Sequence, residues 1–186
     1  RFLTQRNRLF SVVGTSLLSI TGWKVTGQIP DVKKLLVVLA PHTSNWDFVY
    51  GMALILSLKI KLYWLGKHSI FKKGVTRLLK SLGGIPVNRE NARNTINDVL
   101  EIAKREGGIL IGLSPEGTRK KAEKWKSGFL RIAQSMECPI LLVAIDYPSK
   151  EISFRELFHP TGDNQRDIEY LKKYYKDFIG KIPEYF

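Results

Sequence analysis

Apolar positions along the chain come as short unbroken runs, separated by stretches in which they recur every three or four residues. Lys34 to Ala40, reading Lys-Leu-Leu-Val-Val-Leu-Ala and ended by Pro41, is the pattern of a strand buried on both faces. Asn45 or Asp47 then begins a helix to about Leu58, with Phe48, Met52, Ile55 and Leu56 on one side. Leu62 to Gly66 reads as another strand, and Val75 to Leu82 as a short helix stopped by Gly83-Gly84. Ile85-Pro86-Val87 is a brief extended piece. Asn91 suits the N-cap of a helix to about Glu106, with Ile96, Val99, Leu100 and Ala103 on one face. Gly107-Gly108 closes it, and Ile109 to Leu113 is the next strand. A helix from about Ser127 to Met136 and the apolar strand Ile140 to Ile145 follow. Asp163 caps a last helix, whose inner face is Ile168, Leu171, Tyr175 and Phe178. This alternation predicts an α/β fold, one domain with a mostly parallel central sheet flanked by helices.

Leu9 to Thr21 is mostly apolar or small and follows Arg1, Arg6 and Arg8. It is shorter than the ~20 residues that span a bilayer. No small-residue cleavage pattern precedes Trp23 and Lys24. The pattern predicts an amphipathic helix in the membrane interface, with its arginines toward the headgroups. An ordinary first helix packed on the core is the plainer alternative. Arg1 rather than Met opens the sequence, as in a trimmed chain, so targeting signals are not readable from it.

Composition narrows the picture. Hydrophobic residues make up 44% and charged residues 25%, which excludes wholesale disorder. Thirty Lys and Arg against 17 acids leave a net charge of +13, which calls for an anionic partner: nucleic acid, anionic lipid or a phosphorylated cofactor. The aromatic residues are not interleaved with basic ones as in a base-stacking platform. Cys138 is the only cysteine, so no intrachain disulfide forms, and beside Pro139 it reads as packing. His42, His68 and His159 lack the spacing of a zinc site.

Three polar loops flank the predicted strands, where ligands of such sheets gather. In Pro41-His42-Thr43-Ser44-Asn45-Trp46-Asp47, a carboxylate in the first helical turn can fold back onto the imidazole. It would then fix the tautomer and stabilise the imidazolium formed when the other nitrogen takes a proton. Alone, this spacing favours a helix-capping Asp and a surface His. Gly83-Gly84-Ile85-Pro86-Val87-Asn88-Arg89 combines a tight turn with an Arg able to bind phosphate in a bidentate way. In Ser114-Pro115-Glu116-Gly117-Thr118-Arg119, Glu116 can hold a hydroxyl or orient Arg119, and Arg119 can bind phosphate. The basic run from Lys120 to Lys126, with Trp125 in it, suits a solvated surface, cofactor phosphates, an acidic carrier protein or a membrane interface.

Together the three loops resemble the glycerophospholipid acyltransferase family, whose best-known members acylate lysophosphatidic acid. Its His-x-Ser-x-x-Asp motif is matched by His42, Ser44 and Asp47, and its Gly-x-Ile-Pro-Val-x-Arg motif by Gly83 or Gly84 through Arg89. Its Pro-Glu-Gly-Thr-Arg motif is matched at every position from Pro115 to Arg119. Lys67 falls where the family often carries a Lys, and the resemblance covers roughly residues 24 to 150. Pro41, Ser114 and Leu142 depart from the usual Asn, Phe and second Pro of the family.

The resemblance implies an O-acyltransferase whose catalytic residues are His42 as general base and Asp47 as its partner. It implies Lys67, Arg89, Glu116, Gly117, Thr118 and Arg119 as substrate-binding residues, with Ser44 as polar support. No metal or resident cofactor is implied. Acyl-CoA or an acyl carrier protein is the donor, and a lysophospholipid such as 1-acylglycerol 3-phosphate is the acceptor. The expected partner surface is an anionic membrane, on the cytoplasmic face of a bacterial inner membrane, and not nucleic acid. Residues 1–22 would be the membrane-associating segment and 23–186 the catalytic domain. The alternative is a basic membrane- or nucleic-acid-binding module without catalysis, or a silent family member.

Overall fold

The computed structural model describes residues 8–87, 92–122 and 124–186. Among them, seven strands form one sheet: β1 (Lys24–Thr26), β2 (Lys34–Ala40), β3 (Tyr63–Lys67), β4 (Gly84–Val87), β5 (Ile109–Leu113), β6 (Ile140–Asp146) and β7 (Glu151–Phe158). Their order across the sheet is β1-β7-β6-β2-β5-β3-β4. Every pairing is parallel except β6 with β7, which run antiparallel. The α/β architecture with a mostly parallel sheet is therefore as the hydrophobic pattern predicts.

Among the described residues, six α-helices connect or cover the strands: α1 (Arg8–Ile20), α2 (Asn45–Ser57), α3 (Thr76–Ser81), α4 (Ala92–Glu106), α5 (Gly128–Met136) and α6 (Asn164–Tyr175). The pleat of β2 divides the core. Leu36, Val38 and Ala40 point into one apolar layer with Val99, Leu130 and Tyr175, from α4, α5 and α6. Leu35 and Val37 point into the other, with Leu18 of α1 and Leu54 and Ile55 of α2. The central strands are buried on both faces, which is why they read as unbroken apolar runs.

Several element ends differ from expectation for local reasons. Helix α2 begins at Asn45, one of the two starts expected; its cap is Ser44, whose hydroxyl accepts from Trp46 N, and Asp47 sits at N3 as the reciprocal partner of a capping box. Phe178 lies beyond the end of α6 while still packing on the core. The cap assigned to Asn91 lies outside the described residues, as does Arg89. Strands β1 and β7 were not expected at all.

The amino-terminal helix packs along α2. A methyl on Gly14 would collide with the carbonyl of Ala53 and the amide of Ser57, so glycine sets the closeness of the two helices. The opposite side of α1 exposes Leu9, Phe10, Val12, Val13 and Ile20. Among the described residues, no helix is long and apolar enough to cross a membrane.

Candidate active site

The first polar loop leaves the carboxyl end of β2, at the centre of the sheet, and turns at once into α2. Asp47 in the first turn of that helix is wholly buried, and its Oδ2 lies 3.1 Å from His42 Nδ1. A carboxylate only accepts, so Nδ1 carries the proton and Nε2 is left to take one from a bound molecule. The His42 side chain is 20% exposed and lines a cleft of about 1550 Å³.

The carboxylate is held from several directions. Its Oδ2 also accepts the amides of Thr43 at 2.8 Å and Ser44 at 2.7 Å. Its Oδ1 accepts the hydroxyl of Tyr147 at 2.6 Å. The amino terminus of α2 adds favourable positive potential at this position.

The third loop follows β5, next to β2 in the sheet, so the two loops emerge side by side. Glu116 joins them. One oxygen accepts the backbone amide of His42 at 2.9 Å and the other accepts Ser114 Oγ at 2.5 Å. Burial pushes the Glu116 pKa up, ahead of the opposing pull of those two hydrogen bonds. Its carboxylate is engaged by the protein itself, and among the described residues its hydrogen bonds run to His42 and Ser114 and not to Arg119. Arg119 instead donates to Asn45 Oδ1 at the start of α2, a second tie between the loops. Gly117, with φ +62°, makes the turn between Glu116 and Arg119, and Thr118 Oγ1 accepts the amide of Lys120.

Gly117, Thr118 and Arg119 line the cleft with His42, as does Lys67 at the exposed end of β3. Lys120, Lys126 and Arg131 extend this basic rim. The lower walls are apolar, including Leu54, Ile55, Leu62, Trp64 and Phe154. Trp125 is not a surface residue of the basic run: it is buried against Tyr175 and Phe186, with only its lysine neighbours left at the surface. The apolar indole is removed from water while the ammonium groups stay solvated.

The pattern of residues missed three participants. Asn45 was read only as a helix start, and its i-to-Arg119 role depends on the third loop lying alongside. Tyr147 sits just past β6 with no motif to mark it. The segment after α6 crosses the first loop, where Ile182 N donates to Thr43 Oγ1 at 3.1 Å and Lys181 Nζ stands 4.9 Å from the Trp46 ring centre.

A family model described as Acyltransferase matches residues 22–146, about two thirds of the chain. The chain belongs to the acyltransferase family. The match spans both the His42–Asp47 pair and the Glu116–Arg119 loop. A curated 1-acyl-sn-glycerol-3-phosphate acyltransferase of Streptococcus pneumoniae (strain ATCC BAA-255 / R6) is 25% identical over 178 residues. That alignment covers 90% of this chain and 66% of the relative, so the chain spans just under two thirds of the relative's length. In fold it is similar to the crystal structure of the 1-acyl-sn-glycerophosphate acyltransferase of Thermotoga maritima, with a TM-score of 0.61 and 20% identity. That similarity covers 94% of this chain and 81% of the other.

Proposed function

We propose that this chain transfers a fatty acyl group from an acyl thioester, acyl-CoA or an acyl carrier protein, to a hydroxyl of a lysophospholipid such as 1-acylglycerol 3-phosphate. The observation that carries this reading is the oriented His42–Asp47 pair facing a cleft with a basic rim and apolar walls. The name of the Streptococcus relative points to the same acceptor class. A cleft of about 1550 Å³ exceeds the ~300–1,000 Å³ usual for one small ligand, as two lipid-like substrates require.

His42 Nε2 takes the proton of the acceptor hydroxyl as its oxygen attacks the thioester carbonyl carbon. Asp47 stabilises the imidazolium that forms. When the tetrahedral intermediate collapses, the C–S bond breaks, an ester remains, and the imidazolium proton goes to the departing thiolate. Lys67, Gly117, Thr118 and Arg119 hold the phosphorylated headgroup, joined by Arg89. Glu116 serves the same site through the two loops it joins. The exposed apolar side of α1 rests on the anionic membrane that supplies the acceptor, at the cytoplasmic face.

The test is release of free thiol from acyl-CoA in the presence of 1-acylglycerol 3-phosphate, with the lipid product identified by mass spectrometry. His42→Ala should lower kcat by ~10²–10⁴-fold with unchanged thermal unfolding. Turnover by that variant near the unmodified rate would overturn the mechanism.

A further inference from the structure

The two oxygens of Asp47 are held by different parts of the chain. Its Oδ2 is engaged by His42, Thr43 and Ser44, all from its own loop. Its Oδ1 is held by the Tyr147 hydroxyl, a hundred residues away in sequence, at 2.6 Å. The torsion that turns a carboxylate about its Cβ–Cγ bond is broad, so one held oxygen does not fix the plane of the group. Anchoring Oδ1 stops a rotation that would swing Oδ2 away from the imidazole.

Tyr147 is itself fixed. Its amide donates to the Ile179 carbonyl at 3.0 Å, and the Ile179 amide donates to Asp146 Oδ1 at 2.9 Å. Its ring meets Trp23 edge-on at 4.9 Å and lies 6.3 Å from the Tyr50 ring. Burial and the adjacent Asp47 carboxylate raise the hydroxyl pKa far above its ordinary value, so the group keeps its proton and donates it to Asp47 Oδ1. The segment that clasps Tyr147 also reaches Thr43, through Ile182. The far side of that loop is therefore braced by Tyr147, just beyond the residues that match the family model, and by the segment from Ile179 to Ile182.

We propose that Tyr147 is a positioning residue for acyl transfer: its hydroxyl holds the Asp47 carboxylate in the plane that orients His42. The proposal rests on the reading of His42 and Asp47 given above. A hydrogen bond to a charged group corresponds to about 10- to 100-fold in rate when its geometry matters for the chemical step.

Tyr147→Phe keeps the ring and deletes only the hydroxyl. Its kcat should fall about 10- to 100-fold, with KM for donor and acceptor within about twofold and thermal unfolding within a few degrees of the unmodified chain. Tyr50→Phe, in the same aromatic cluster but without a bond to Asp47, should keep its kcat. A kcat for Tyr147→Phe within about twofold of the unmodified chain would overturn the proposal. So would a fall in kcat accompanied by loss of the near-ultraviolet circular dichroism signal, since that marks a packing role. His42→Ala run in parallel separates the two ideas. Transfer surviving in His42→Ala defeats the reading of the whole site, whereas His42→Ala inactive with Tyr147→Phe fully active defeats only the role of Tyr147.

Discussion

The carboxylate of Glu116 accepts the backbone amide of His42 at 2.9 Å, across 74 residues of sequence. A buried acid thus fixes the main chain of the proposed base, while Asp47 fixes its side chain. Two acids of similar chemistry divide the work, one through the backbone and one through the imidazole.

The raised pKa of Glu116 has a signed consequence for stability. The folded chain binds this proton more tightly than the unfolded chain, so this group's contribution to stability is full below the ordinary value of 4.5. It declines as pH rises from there through the raised value in the fold. Gln at this position can still accept from His42 N and can donate to Ser114 Oγ, but does not titrate. Urea midpoints measured against pH should therefore show Glu116→Gln gaining on the unmodified chain as pH rises through that window, then keeping a constant offset. Parallel curves would contradict this account.

Arg119 is tied to Asn45 and faces the cleft, so its loss should be felt in headgroup binding more than in proton transfer. For Arg119→Ala, KM for 1-acylglycerol 3-phosphate should rise about 10- to 100-fold with a smaller change in kcat. With a monoacylglycerol acceptor, which has no phosphate, the same variant should lose little. Arg119→Lys should fall between, since an ammonium keeps the charge but not the planar fork. Equal losses on both acceptors would mean that Arg119 acts on the fold of the loop and not on phosphate.

Gly180 lies where the segment after α6 crosses the first polar loop. A Cβ there would stand 2.6 Å from Thr43 Oγ1 and 2.8 Å from Thr43 Cγ2. Gly180→Ala should cost about 1–3 kcal/mol in urea unfolding and lower kcat, because either the segment or Thr43 has to move. Adding Thr43→Ala removes the atoms in the way. The double variant should recover part of the stability lost in Gly180→Ala, a non-additive result readable from a double-mutant cycle. Strict additivity would show that the two residues do not press on each other.

How much of this was legible in the residues depends on the range over which each feature is encoded. The bounds of β2 and β5 match their apolar runs residue for residue, because strands buried on both faces carry their burial in composition alone. The helices follow from periodicity and local caps, as at Asp163, which accepts from Gln165 N and Arg166 N. Strand β1 has only three residues, too few to show any period. In β7 only the first half is buried in the sheet, while Arg155, Glu156 and Leu157 are exposed, so no single alternation runs through it.

The sequence by itself determined the alternating α/β order, the presence of a His and an Asp at a spacing that can pair, and a strongly positive net charge. Local rules suffice for these: periodicity within an element, a cap within one turn, an Asp reaching back five residues. Only the tertiary structure decided which groups hold that pair. Glu116 meets His42 because β5 lies beside β2, and Tyr147 meets Asp47 because β6 lies on the other side of β2. From Ile179 to Ile182 the segment contributes backbone groups to the brace, two amides and a carbonyl, so no choice of side chain within it announces the contacts with Asp146, Tyr147 and Thr43.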